Sequence, residues 1–122
     1  MKFSDSHEWI NLENSEKAVI GITNYAQKEL GDIVYVELPQ VGKVVKASQE
    51  IAVLESTKAA SDIYTPVSGT IVEVNEKLVD SHELINQSPE KDGWIAKILL
   101  SDANEMENLM DRKAYEEMLK SI

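Results

Sequence analysis

The first thirty residues alternate between apolar and polar stretches that predict one strand and one short helix. Ala18 to Ile22 is a continuous apolar run of strand length. Tyr25 to Leu30 has helix-forming residues, with Thr23 or Asn24 as the N-terminal cap and Gly31 as the terminator. A strand followed at once by a brief helix is therefore expected here.

A second strand is predicted from Ile33 to Leu38, which is rich in β-branched and aromatic residues. Strict alternation along this run would turn Val34, Val36 and Leu38 inward, toward the core. Pro39 would end the strand, because proline has no N–H to donate to a β ladder.

The middle of the chain consists of short apolar runs separated by turn residues. The candidate strands are Val41–Val45, Glu50–Leu54, Ile63–Tyr64, Thr70–Val74 and Glu83–Ile85. Short, regularly spaced strands of this kind favour a small sandwich or barrel over a parallel α/β sheet.

Two segments of this region share a spacing of identical residues. Residues 43–51 can be aligned with residues 77–85 so that a lysine, a valine and an isoleucine coincide. Chance explains three identities in nine as well as a true repeat does. A true repeat would imply two similar half-domains on either side of residues 55–62.

The last twenty residues have a helical rather than a β pattern. Asp102 and Glu105 have the spacing of a capping box, and Asp111 can cap a second helix. Apolar residues follow at helical spacing, namely Met106, Leu109, Met110, Tyr115, Met118 and Leu119. We therefore expect a single domain over residues 1–122, with a β body over about residues 1–100 and a helical tail over about residues 102–120.

Composition and charge exclude several classes of function. The chain has 122 residues, 43% of them hydrophobic, a formal net charge of −10 and no cysteine. An acidic field of this size disfavours binding to nucleic acid or to anionic membranes, and it suits either solubility or docking on basic partners. Without cysteine there is no thiolate catalysis and no cysteine zinc site, and His7 and His82 lack the carboxylate spacing typical of metal ligands.

Residues 1–5 have neither the apolar stretch of a signal peptide nor the arginines of a transit peptide, so we expect a cytoplasmic protein.

One lysine stands out by its surroundings. Lys58 lies among small residues between two apolar runs, with Glu55 three positions before it and Asp62 four positions after it. Spacing alone fits an ordinary hairpin with a solvated lysine, because an unperturbed lysine amine is protonated near neutrality.

The segment Glu55-Ser56-Thr57-Lys58-Ala59 resembles the lipoylation motif of the glycine cleavage H proteins, and residues 60–69 continue the match. Other signatures of that family are matched in the right order by His7-Glu8-Trp9, Gly21-Ile22-Thr23, Tyr25-Ala26-Gln27, residues 31–39 and Asp92-Gly93-Trp94. The chain departs from the usual pattern at Asn24, at Ser48, where a turn glycine is common, and at residues 88–91.

The resemblance implies a mainly β fold, a flattened barrel of the lipoyl/biotinyl type with two antiparallel sheets, the modified lysine at a hairpin tip and short C-terminal helices. Lys58 would hold lipoate in amide linkage, on an arm reaching on the order of a dozen ångströms or more from the backbone. Glu55, Ser56, Thr57, Ala59 and Asp62 would form the modification motif. Glu8, the glutamate of the His-Glu-Trp signature, would border a cleft that shelters the loaded arm.

The implied function is that of a carrier without catalytic residues of its own. It would take an aminomethyl group from glycine decarboxylase to the aminomethyltransferase and electrons to dihydrolipoamide dehydrogenase, after a lipoate-attaching enzyme has modified it. We expect a monomer. A lipoyl relay protein that donates lipoyl groups to other carriers would use the same lysine. A biotin carrier is disfavoured because Thr57 and Ala59, not methionines, flank Lys58, and a 2-oxoacid dehydrogenase lipoyl domain because it usually has Asp before the lysine.

Overall fold

The computed structural model describes residues 1–122. Its strands are β1 Lys2–Phe3, β2 Glu8–Leu12, β3 Lys17–Ile22, β4 Ile33–Glu37, β5 Val44–Val45, β6 Glu50–Ser56, β7 Ala60–Tyr64, β8 Gly69–Val74 and β9 Ala96–Leu100. Its helices are α1 Asn24–Leu30, α2 Lys77–Asp80, α3 Leu84–Gln87, a 3₁₀ helix Ala103–Asn108 and α4 Arg112–Lys120.

The strands form two antiparallel sheets. One sheet has six strands in the order β1-β2-β3-β9-β8-β5, and the other has three in the order β4-β6-β7. The core is a cluster of 18 buried apolar residues, to which Ile20 and Ile98 contribute from the larger sheet, Leu54 and Ile63 from the smaller one, and Leu78 and Ile85 from α2 and α3. The expected architecture of two flattened antiparallel sheets is confirmed, although the sheets do not join into one closed barrel.

Helix α1 has the predicted caps at both ends. Thr23 is the N-cap, because its side-chain oxygen accepts a hydrogen bond from Ala26 N–H at 3.2 Å. Gly31 ends the helix with φ +81°, in the left-handed region that glycine enters without strain. The helix therefore stops where β4 must begin.

The prediction that Val34 faces the core is wrong. Ile33 pairs with Ser56 and Tyr35 pairs with Glu55, so β4 has one residue more than β6 over this stretch. This irregularity breaks the period of two. As a result Ile33 and Val36 are buried, whereas the Val34 side chain is 50% exposed.

Two of the predicted strands in the middle of the chain are also wrong in whole or in part. Glu83–Ile85 is helical, because Asn86 N–H bonds Glu83 O and Ser88 N–H bonds Leu84 O within α3. Of Val41–Val45 only Val44 and Val45 form a strand. The segments 43–51 and 77–85 therefore have different structures, β in the first and helical in the second, which contradicts two similar half-domains.

The tail forms two short helices, as its pattern predicts. Asp111 caps α4 by accepting a hydrogen bond from Ala114 N–H at 2.8 Å. Asp102 caps the 3₁₀ helix through Asn104 N–H, but Glu105 does not complete the capping box, because both of its carboxylate oxygens bind Ser68. The apolar stripe of α4 packs on Phe3 and Trp9 of the larger sheet.

Candidate functional site

Lys58 lies at the tip of the hairpin that joins β6 to β7. The backbone of this tip is held by Ser56, whose Oγ accepts hydrogen bonds from Lys58 N–H and Ala59 N–H at 3.1 Å each. Ser56 N–H in turn donates to Ala59 O at 2.9 Å. Since these contacts are local, the short segment around the lysine orders its own turn and leaves the Lys58 side chain exposed.

The junction between α1 and β4 supports the tip from behind. Thr57 N–H donates to Asp32 O at 3.1 Å. The Lys58 side chain lies over Gly31, where an added Cβ would be 3.4 Å from Lys58 Cε. The tip thus rests on a turn whose glycine leaves room for the lysine stem.

Asn86 holds that junction in place, and nothing in the sequence pattern pointed to it. Its Oδ1 accepts a hydrogen bond from Ile33 N–H at 2.9 Å, while its Nδ2 donates to Gly31 O at 2.9 Å and to Gln27 Oε1 at 3.1 Å. One side chain on α3 therefore connects the end of α1 to the start of β4. An asparagine in a short helix gives no sign of this role before its neighbours are known.

The acidic residues of the motif lie on the outer face of the hairpin. Glu55 pairs with Ala60 and Val53 with Asp62, so both acids project from the same face, two residues apart along the hairpin. Both are exposed. Neither of them forms an ion pair with Lys58, and Lys58 takes part in no ion pair. The amine and the two flanking carboxylates are all free to meet a partner.

Glu8 is at the opposite extreme of exposure, with 2% of its surface accessible. Its Oε1 accepts hydrogen bonds from Ser4 Oγ at 2.6 Å and from Ser6 Oγ at 2.5 Å. Its Oε2 accepts from Tyr64 N–H at 3.3 Å, at the far end of β7 from the tip. A carboxylate in this position is held by donors on several sides.

Burial raises the pKa of Glu8, and the hydrogen bonds from Ser4, Ser6 and the backbone oppose that rise without cancelling it. Water solvates the charged Glu8 carboxylate poorly in this buried position. A cation that reached this carboxylate would meet a strong partner.

Glu8 lines the largest cavity of the molecule, about 700 Å³ in volume. We call it the Glu8 cavity. Its walls come from four places in the chain, namely residues 3–6 with Glu8, residues 47–48, residues 64–66 and part of the tail between residues 105 and 110. The cavity therefore exists only in the folded protein.

The strand β7 connects the hairpin tip to the Glu8 cavity. Ala60 begins β7 beside the tip, and Tyr64 ends it at the cavity wall. Four steps along an antiparallel strand cover about 14 Å. A lysine side chain extended by a lipoyl chain reaches on the order of 15 Å, as covalent bond lengths dictate. The two distances are of the same order.

Two antiparallel sheets with an exposed lysine at a hairpin tip define a carrier fold of the lipoyl and biotinyl type. The family model described as "Glycine cleavage H-protein" matches residues 1–122. The chain belongs to the glycine cleavage H-protein family.

Individual relatives agree with this assignment. The glycine cleavage system H protein of Thermotoga maritima is 53% identical over 116 residues, which are 95% of this chain and 93% of that protein. The H protein of an Escherichia coli strain is 53% identical over 120 residues, covering 98% and 93% of the two chains. The crystal structure of the H protein from Mycobacterium marinum superposes with a TM-score of 0.88 at 33% identity, covering 98% of this chain and 95% of that one.

Proposed function

We propose that Lys58 is the residue that holds lipoate in amide linkage and that the hairpin tip presents it to the enzymes of the glycine cleavage system. As a member of the H-protein family, the chain is a lipoyl carrier of that system. The observation that carries the assignment to Lys58 is its exposed side chain at a hairpin tip ordered by Ser56.

The residues at the tip suit this attachment. An amide bond requires a free primary amine, and Lys58 has no ion-pair partner that would hold its amine back. When bound, lipoate supplies a disulfide that can accept a transferred group and two electrons. We assign to Glu55, Ser56, Thr57, Ala59 and Asp62 the role of a recognition surface for the lipoate-attaching enzyme, in which Ser56 orders the backbone and the two acids supply charge.

The partners proposed for the carrier are glycine decarboxylase, the aminomethyltransferase and dihydrolipoamide dehydrogenase. A net charge of −10 gives an acidic surface that would accelerate encounters with basic docking sites, in a manner that salt weakens. None of the helices has the length and apolar character needed to cross a membrane.

Replacing Lys58 by arginine tests the attachment site. Lys58→Arg keeps the positive charge and removes the acylatable amine, so intact-mass analysis after incubation with a lipoate ligase should show no added lipoyl group. Lys46→Arg is the matched control, since Lys46 is also exposed but lies outside the motif, and it should be modified like the wild type. Lipoylation that persists in Lys58→Arg would overturn the assignment.

We further propose that Glu8 shelters the carried aminomethyl group. The cargo ends in an ammonium ion. The Glu8 carboxylate lies beside the end of β7, at a distance from the tip comparable to the length of the lipoyl-lysine arm. Charge-assisted hydrogen bonding in this buried setting would favour the sheltered pose by about 1–3 kcal/mol.

The Glu8→Gln variant tests the shelter with two measurements. In the unloaded protein, the amide signal of Tyr64, which donates to Glu8, should move less on titration with n-propylammonium chloride than in the wild type. In the loaded protein without transferase, formaldehyde and ammonia should be released roughly 5- to 150-fold faster, the equivalent of about 1–3 kcal/mol.

Asp5→Asn is the matched control for Glu8→Gln. Asp5 lines the same cavity and its loss removes the same charge, but it is exposed and lies outside the network of Ser4, Ser6 and Glu8. This variant should release its cargo at the wild-type rate. Equal release from Glu8→Gln and wild type would remove Glu8 from the site.

We propose that residues 1–122 form a single domain that contains both the hairpin tip and the Glu8 cavity. The support is the single cluster of 18 buried residues that joins both sheets, with the tail packed against β1. The hairpin tip and the Glu8 cavity would then be two parts of one rigid scaffold.

A further inference from the structure

Glu8 and Ser6 are presented to the cavity by a tight turn over residues 4–8, which we call the N-terminal turn. Its backbone is closed by Ser4 N–H to Glu8 O at 2.9 Å and His7 N–H to Ser4 O at 3.2 Å. His7, between the two cavity residues, has φ +73°. Residues other than glycine adopt this left-handed conformation uncommonly, although histidine enters it more readily than most, so contacts that favour it here help to fix the turn.

The backbone of His7 is held by Thr23, whose N–H donates to His7 O at 3.0 Å, and the contact that holds its side chain comes from the C-terminal helix. The Tyr115 hydroxyl lies 2.8 Å from His7 Nδ1 and 2.7 Å from Thr23 Oγ1. Thr23 is itself fixed as the N-cap of α1, and its carbonyl oxygen accepts a hydrogen bond from Gln27 N–H. The phenol therefore ties the N-terminal turn to a rigid helix end.

Tyr115 is held firmly enough to act as such a tie. Its side chain is 3% exposed, and its ring stacks on Phe3 with centroids 4.7 Å apart and planes 8° from parallel. Helix α4 is placed by the Asp111 cap and by the backbone pair in which Phe3 N–H donates to Met110 O and Met110 N–H donates to Phe3 O. The hydroxyl thus has little freedom to move away from His7.

We propose that Tyr115 is a positioning residue for the Glu8 cavity, holding His7 and through it the turn that presents Ser6 and Glu8. This inference rests on the proposed sheltering role of Glu8. It gives the helical tail a part in cargo protection in addition to its part in packing. Tyr115 itself does not line the cavity, so its effect passes through the N-terminal turn.

Tyr115→Phe tests the tie, because it removes the hydroxyl and keeps the ring on Phe3. The readout is the apparent Kd of n-propylammonium from the Tyr64 amide shift in the full unloaded chain. We expect this Kd to rise at least threefold, with faster cargo release from the loaded form. Tyr25→Phe is the matched control, since the Tyr25 ring also packs on His7, with centroids 4.7 Å apart, but its hydroxyl is outside the tie. It should leave the Kd unchanged.

The double variant Glu8→Gln/Tyr115→Phe separates positioning from simple packing. If Tyr115 acts through Glu8, removing its hydroxyl has no further effect on the Kd once Glu8 is neutral, and a double-mutant cycle shows strong coupling. His7→Gly provides a second route, because glycine enters the left-handed conformation without strain and has no side chain to meet the phenol. It should reproduce the Tyr115→Phe effect even if that variant folds poorly.

The outcomes separate the inference from the proposal beneath it. A Kd raised by Glu8→Gln but unchanged by both Tyr115→Phe and His7→Gly would overturn the inference and leave the sheltering role intact. Additive effects of Glu8→Gln and Tyr115→Phe would also overturn it. A Kd that Glu8→Gln does not change would overturn both.

Discussion

The hairpin tip and the Glu8 cavity differ in how the chain builds them. At the tip, Ser56 orders Lys58 and Ala59 through contacts two and three residues away in sequence. At the cavity, Glu8 receives a hydrogen bond from Tyr64, 56 residues away. The tip exposes a charge, whereas the cavity buries one. A group presented to enzymes needs only local order, but a site that shelters a cargo must assemble donors and walls from distant segments.

The tip nevertheless rests on the junction between α1 and β4 that Asn86 holds, and loss of Asn86 should have the largest effect on stability. Asn86→Ala removes the acceptor of Ile33 N–H and both donor bonds behind the lysine. Leaving these partly buried groups unpaired should lower the free energy of unfolding by about 2 kcal/mol. Urea denaturation measures this change.

Asn86→Asp sharpens the same test. Aspartate keeps the oxygen that accepts from Ile33 N–H but loses the amide that donates to Gly31 O. Its second carboxylate oxygen would face Gly31 O in place of the lost donor, so aspartate should not restore the stability that Asn86→Ala loses. Lipoylation of Lys58 should slow in both variants if Gly31 supports the tip. An unfolding free energy for Asn86→Ala within about 0.5 kcal/mol of the wild type, the usual range for surface substitutions, would contradict the role assigned to this residue.

The cavity should reveal its buried carboxylate through pH. Burial raises the pKa of Glu8 above its ordinary value of 4.5, so between these two pKa values the folded protein binds more protons than the unfolded chain does. Stability from this group is therefore fully present below pH 4.5 and is lost as pH rises through the folded pKa.

The measurement compares wild type with Glu8→Gln by urea denaturation over a series of pH values from below 4.5 to neutrality. The free energy of unfolding of the wild type should fall relative to that of the variant as pH rises across this window. A difference that grows in favour of the wild type with rising pH would show that Glu8 is stabilised as a carboxylate by its donors.

The sequence predicted best the features that are determined locally. The caps of α1 and α4 and the stripe on α4 depend on contacts within one turn, so Thr23, Gly31 and Asp111 could be identified before the fold was known. The candidate lysine was found differently, because its local spacing fits an ordinary hairpin and only the resemblance of several signatures along the chain to one family singles it out. The structure places Lys58 at a hairpin tip, as that resemblance implied.

The features that were wrong or missing depend on pairing across the fold. An extra residue opposite β6 turns Val34 outward, and no pattern within β4 reveals what β6 will do. Strands β1, β2 and β9 lie outside the predicted set, and β2 begins with the buried Glu8, a residue type that is expected at the surface. The parts played by Tyr64 and Tyr115 appear only when residues 56 and 108 positions apart come together. Ser4 and Ser6 lie close to Glu8 in sequence, but their role becomes visible only once Glu8 is known to be buried.

The smallest change in stability is expected from backbone conformation, in which the hairpin tip and the Glu8 cavity also differ. Near the tip the left-handed position is Gly31, with φ +81°, whereas at the cavity wall it is Ser48, with φ +73°. Ser48→Gly would relieve the strain of a side chain in this conformation and would keep the bond from its N–H to Thr65 O at 2.8 Å. Because glycine also gives the unfolded chain more freedom, the net gain in the free energy of unfolding should be no more than about 1 kcal/mol. Thermal denaturation should show Tm rising by about 4 °C or less, with lipoylation unchanged. Gly31→Ser is the converse variant, and it should lower Tm, because it places a side chain on a residue with φ +81°. A fall in Tm for Ser48→Gly would mean that the Ser48 side chain stabilises the cavity wall by more than its backbone strain costs.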